Sequence, residues 1–126
     1  MSQSLQSRFA LNSVCYGCGP ANPHGLHLES IPDPDNQRVL ATFTPAAHHH
    51  AFPNTLNGGI IGTLLDCHCN WSAAWFYMLE QQDDTPPCTV TAEYTITLKR
   101  PTPMGTPLSL IATCDAIDAK RIRMRG

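Results

Sequence analysis

The chain has 126 residues, a formal net charge of −2 and a hydrophobic content of 42%. That length supports one domain with a real core and is too short for two, while the near-neutral charge argues against a generic nucleic-acid or membrane-surface binder. The opening MSQSLQSRFALNS lacks the apolar segment of a secretory signal and no apolar run reaches about 18 residues, so a cytoplasmic location is expected, where six cysteines read as reduced thiols rather than a disulfide framework.

Residues 1–14 are expected to form a flexible lead-in to a single domain spanning 1–126. Cys15, Cys18, His24 and His27 then follow a C-x2-C-x5-H-x2-H pattern whose ligand types suit zinc. Its middle gap is far shorter than the roughly 12 residues of a usual finger. Gly17, Gly19, Pro20, Pro23 and Gly25 punctuate the same stretch and favour a compact turn-rich loop with no metal. Residues 24–31 and 38–44 read as two strands joined by PDPDN, with Val39, Ala41 and Phe43 alternating against Leu40 and Thr42. His48, His49 and His50 follow, and adjacent residues on an irregular loop rarely converge on one ion, so solvated loop histidines are expected.

The organising stretch is 57–77, NGGIIGTLLDCHCNWSAAWFY, which reads as one buried helix. Asn57 is a favourable N-cap, and Gly58 and Gly59 leave the first-turn N–H groups uncovered by side chains, an anion or oxyanion site in waiting. Beyond them the apolar residues cover most of the circumference, as in a helix wrapped by something else. Asp66 is the exception, because an ionised carboxylate on such a helix is costly unless it is paired or used. Asn70 lies one turn further on the same face, placed either to orient that carboxylate or an attacking water, or to bond a neighbouring strand. Cys67, His68 and Cys69 point about 100° apart in succession, so one helix cannot gather them round a metal.

Gly58 and Asp66 are eight residues apart, which separates them by roughly 12 Å along the axis. An oxyanion donor and a base acting on one carbonyl must both come within about 3 Å of the reacting group. If both act, the Gly58 end of one helix must meet the Asp66 of a second copy, which implies a dimer with two equivalent sites.

QQDDTPP ends the helix around residues 81–87. The period then becomes two: Val90, Ala92, Tyr94, Ile96 and Leu98 alternate with threonines and Glu93 in a long half-buried strand. RPTPMGTP turns the chain, and Leu108, Leu110, Ala112, Cys114 and Ala116 begin a second such strand. Six of the eight basic residues lie from Lys99 onward, namely Lys99, Arg100, Lys120, Arg121, Arg123 and Arg125.

NGGIIGTLLD resembles the HGGxxxxLxD segment of hotdog-fold acyl-CoA thioesterases of the PaaI-like type, within the 4-hydroxybenzoyl-CoA thioesterase superfamily. CYGCGPANPHGLHL is similar to that family's C-x-x-C-G-x-x-N-P-x-G-L lead-in, and LKRPTPMG to its post-helix R-P-x-P-x-G turn. The resemblance implies an α+β hotdog fold, an antiparallel sheet wrapped around one long helix, with two subunits sharing each active site. It implies hydrolysis of an acyl-CoA thioester by a homodimer or tetramer, with no metal or cofactor and coenzyme A as part of the substrate.

In that reading Asp66 is the general base or nucleophile, and the Gly58 N–H, with Asn57, polarises the carbonyl. Asn70 and Thr91 assist, Thr91 matching a position that often carries a hydroxyl near the reacting carbonyl. Gly59, His50, Lys99, Arg100, Arg121 and Arg123 contact the substrate, the cations through CoA phosphates. Asn57 replaces the family's usual His, so altered catalysis is expected. A non-catalytic acyl-CoA or acyl-carrier binder is one alternative; a hotdog hydratase or dehydratase, with His50 as its histidine, is the other. Family members continue with a further strand beyond the position of Gly126, so a missing final strand is also expected.

Overall fold

The computed structural model describes residues 3–118 and 121–126. Ser4 caps a short helix, α1 (Leu5–Phe9), by accepting the Ser7 N–H. Strand β1 (Ile31–Asp33) turns through Pro34–Asn36 into β2 (Arg38–Phe43), the turn being held by Asp33, whose carboxylate accepts from Asn36 and Arg38 at 2.9 Å each. A small hairpin of β3 (His50–Phe52) and β4 (Thr55–Leu56) leads into the long helix α2 (Gly58–Gln81). Strands β5 (Leu108–Ile117) and β6 (Ile122–Arg125) complete an antiparallel sheet of order β1-β2-β5-β6.

Helix α2 begins where the sequence supplies a cap: the Asn57 side-chain oxygen accepts the Gly59 N–H at 2.7 Å. It ends where Gln82 turns left-handed and donates its N–H to the carbonyls of Leu79 and Met78, ahead of the two prolines. The buried residues of α2 include small ones, Gly62, Ser72, Ala73 and Ala74, beside Leu64, His68 and Met78. The register places Val39 opposite Ala112, Ala41 opposite Leu110 and Phe43 opposite Leu108. Apart from half-buried Leu108, these residues are buried, and the core gathers Ala41, Phe43, Leu64 and Leu110 with Cys18, Leu26 and Leu28 from the lead-in. Each large apolar side chain buried there contributes about 1.5–3 kcal/mol.

Several expectations change. Residues 24–30 are not a strand, because the N–H groups of Leu26 and Leu28 go to the carbonyls of Tyr16 and Gly17, and His27 has a left-handed φ of 56° that breaks an extended run. Nor does the chain start as a loose tail from residue 4 onward: Leu5 is buried and its N–H donates to the Ser30 carbonyl. Residues 1 and 2 lie outside the described residues.

The long alternating stretch 89–98 forms no strand ladder among the described residues. Both sides of β5 are occupied, by β2 and β6, and the stretch instead runs along α2. A methyl group on Gly58 would lie 3.1 Å from Leu98 and one on Gly62 would lie 3.5 Å from Ile96, while Thr89 donates to the Asn70 carbonyl at 3.2 Å. Val90, Tyr94 and Leu98 of this stretch are nevertheless 84%, 60% and 57% exposed.

Finally, the histidine run is not uniformly solvated. His48 and His50 are exposed, but His49 is buried, with its Nδ1 accepting the Ala46 N–H at 2.9 Å and its ring 5.7 Å from that of Phe43. Its carbonyl accepts the Asn57 N–H, which ties the hairpin to the start of α2.

Candidate active site

The first ten residues of α2 floor an open cleft of about 480 Å³. Three glycines, Gly58, Gly59 and Gly62, keep that floor low, and Asp66 stands at its far end. Tyr94, Ile96 and Leu98 wall it, together with Cys15, Tyr16 and Gly17 of the lead-in. The helix supplies the polar chemistry and the extended stretch supplies apolar cover, a combination suited to a ligand with a reactive polar group on an apolar body.

Asp66 is half-buried, and Thr91 donates its hydroxyl to Asp66 Oδ1 at 2.6 Å. Alternation puts Thr91 on the polar side of a strand; in the folded chain residues of both parities meet α2, Ile96 and Leu98 at the glycines and Thr91 at the carboxylate. Asn70 is engaged through its backbone carbonyl, by Thr89, one turn beyond. At the other end, no acceptor is placed on the Gly58 N–H among the described residues, so it faces the cleft as a free donor. Gly59 differs: its N–H is taken by Asn57, which removes it as a donor to a ligand.

The remaining residues singled out from sequence lie elsewhere. His50 is exposed on β3 opposite Leu56 and does not line the cleft. Lys99 and Arg100 are exposed directly after the cleft residue Leu98. Arg121 donates its N–H to Asp118 in the β5–β6 turn and Arg123 is on β6, both away from the cleft lining; Lys120 lies outside the described residues. His24 and His27 do not join the cysteines, and the His27 Nε2 bonds the Asn22 carbonyl instead.

Two groupings were not foreseen. His68 is fully buried; its Nε2–H donates to the Val39 carbonyl at 3.0 Å, and its Nδ1 accepts from the Ser30 hydroxyl at 2.8 Å. Gln6 completes the network, donating to Ser30 Oγ and accepting the Ser30 N–H. Burial pushes the His68 imidazole below its ordinary pKa, consistent with a neutral ring whose two nitrogens have distinct partners. The signal was available, because Leu64, His68 and Ser72 share one buried stripe at a spacing of four.

The second grouping is a sulfur cluster: the Sγ atoms of Cys15, Cys18 and Cys67 all lie within 4.8 Å of one another. Hydrogen bonding from Cys67 holds the Cys18 thiol below its ordinary value, and the same contact pushes Cys67 up. Nothing local in the sequence links Cys67 to a pair some 50 residues earlier.

No family model matches the chain, and no curated protein does. Among solved structures, the chain is similar to a thioesterase superfamily protein from Shewanella loihica PV-4, at 33% identity over 78% of this chain and 77% of that one, with a TM-score of 0.61. A second thioesterase superfamily protein superposes with a TM-score of 0.74 over 98% of this chain and 56% of its own length; at 21% identity, that likeness bears on the fold alone. With one long helix laid on an antiparallel sheet and 33% identity over more than three quarters of both chains, this protein belongs to the thioesterase superfamily and has the hotdog fold.

Proposed function

We infer that the protein hydrolyses an acyl-CoA thioester, in the manner of the PaaI-like members of its family. The observation that carries this reading is Asp66, a carboxylate in a largely apolar cleft with one oxygen bonded by Thr91 and the other left to accept from water. In this reading Asp66 removes a proton from a water that attacks the thioester carbonyl, or attacks the carbonyl itself. The Gly58 N–H, at the positive end of α2, stabilises the oxyanion that develops. Neither step calls for a metal.

Gly58 and Asp66 stay roughly 12 Å apart along one helix axis, so the reaction requires a second chain to bring its own Asp66 or Gly58 to the same carbonyl. The exposed apolar side chains of 89–98 support such an assembly, since a second copy would cover them. In this reading Lys99 and Arg100, exposed and directly after the cleft residue Leu98, meet the CoA phosphates. Among the described residues no helix is long and apolar enough to cross a membrane; a cytoplasmic location is part of this proposal.

One observation favours a second reading. Asn57 spends its side-chain oxygen on the helix cap, and the imidazole usual at this position is absent, so acyl-CoA could be held without being cleaved. The hydratase reading loses its histidine, because His50 does not reach the cleft. Release of free CoA from a panel of acyl-CoAs, followed with a thiol-reactive chromophore and corrected for protein thiols, separates hydrolysis from binding. Saturable binding with no CoA release would overturn the hydrolase reading.

A further inference from the structure

The lead-in and the helix bring three thiols together from two elements. Cys15 and Cys18 sit on a turn closed by the Gly19 N–H to the Cys15 carbonyl at 2.8 Å, and the N–H groups of Leu26 and Leu28 pin Tyr16 and Gly17 between them. That turn reaches α2 because residue 17 is glycine: a methyl group there would lie 2.4 Å from Cys67 Sγ and 2.9 Å from the Thr63 methyl. Cys67 then faces both turn cysteines, with its Sγ 3.7 Å from that of Cys15. Two sulfurs bound tetrahedrally to one zinc at about 2.3 Å are about 3.8 Å apart, whereas a disulfide needs about 2.05 Å. The Cys15–Cys67 distance matches that of two ligands on one ion, and Cys18 Sγ lies within 4.8 Å of both.

We propose that Cys15, Cys18 and Cys67 form a binding site for a thiophilic closed-shell metal ion, for which Zn(II) is the test ion. An all-sulfur donor set selects such ions over magnesium or calcium. The fourth position opens toward the cleft, since Cys15 and Cys67 line it while Cys18 is buried behind them. Binding replaces three S–H bonds with three metal–thiolate bonds, and each proton passes to solvent. The ion clamps the lead-in loop, which is one wall of the cleft, to the helix at the residue beside Asp66. The site does not depend on the thioesterase reading, and its test needs no turnover.

The full-length protein is prepared under reductant, stripped with a chelator and titrated with Co(II). A thiolate-to-cobalt charge-transfer band should saturate at one ion per chain and be displaced by Zn(II), and Zn(II) should raise the thermal midpoint. Cys15→Ser and Cys67→Ser should each weaken Zn(II) binding by at least about 100-fold, with far-ultraviolet circular dichroism unchanged. Cys88→Ser, at an exposed cysteine outside the cluster, should bind as the wild type does. A band that never saturates, or Zn(II) affinity equal to wild type in both cluster variants, overturns the proposal.

Discussion

Thr91 and Asp66 are 25 residues apart in sequence and joined by a hydroxyl-to-carboxylate hydrogen bond of 2.6 Å. The bond fixes the direction of Asp66 in the cleft and leaves one carboxylate oxygen for a water. Asp66→Asn keeps the polar volume and Thr91 as a neighbour but removes the base, so turnover of acyl-CoA should fall about 10²–10⁴-fold with the thermal midpoint little changed. Thr91→Val should give a smaller loss. Wild-type turnover in Asp66→Asn rules out the assigned role.

Catalysis should need two chains. Gly58 is the first residue of α2, where proline is tolerated, and Asn57 already has the extended φ of −62° and ψ of 129° that a following proline favours. Gly58→Pro therefore removes the cleft-facing N–H while keeping the helix, at the cost of a small shift of the Leu98 side chain. Mixed dimers of Gly58→Pro and Asp66→Ala subunits contain one complete composite site and should recover up to about half of wild-type activity. Verified mixed dimers that stay inactive, with both parents folded, refute the shared site.

Asn57 is expected to be worth more as a cap than as a catalytic donor. Asn57→Asp should preserve stability, since a negative charge is favoured at a helix N-terminus, yet slow turnover by repelling the oxyanion. Asn57→His restores the usual family residue; turnover should rise while the lost cap costs about 1 kcal/mol. Thermal midpoints and turnover of both variants decide the matter, and unchanged turnover in both means that backbone alone polarises the carbonyl.

Stability should decline on mild acidification. His49 and His68 are both pushed below the ordinary imidazole value of 6.5, in each case first by burial, with the neighbouring His48 adding to the effect on His49. A group with a lowered folded pKa is protonated more readily in the unfolded chain, so the stabilisation is complete above pH 6.5 and is lost as pH falls below it. Urea denaturation should show a positive slope of stability with pH in that region, and a shallower one in His49→Gln and His68→Gln. An equal slope in wild type and both variants contradicts this assignment.

The parts legible in sequence were those set by local chemistry. The Asn57 cap, the long apolar helix with its terminus near the prolines, and the alternation of β2 and β5 follow from residues close in the chain. Stretch 89–98 shows the limit of periodicity: alternation specifies an extended backbone but not its neighbour, and here the neighbour is a helix. The same limit hid the sulfur cluster, because a C-x2-C pair reveals nothing about a thiol presented from another element. His27, read as part of a strand and a candidate ligand, adopts a left-handed backbone set by its loop. His68 stands between two cysteines in sequence, yet its four-residue spacing from Leu64 and Ser72 marks it as a core residue.

The pairing of β2 with β5 has a consequence for how the chain is made. Phe43 and Leu108 are register partners, and everything between them, including all of α2, is synthesised before that pairing can close. A nascent chain halted before Leu108 therefore presents an apolar helix without its central cover, the kind of surface that chaperones engage. Once released, the same long-range closure must precede most of the stabilising contacts, which places refolding on the slow side for a domain of this size, on the order of milliseconds to seconds. Removing β5 from a fragment should leave a collapsed, aggregation-prone species rather than a smaller version of this fold.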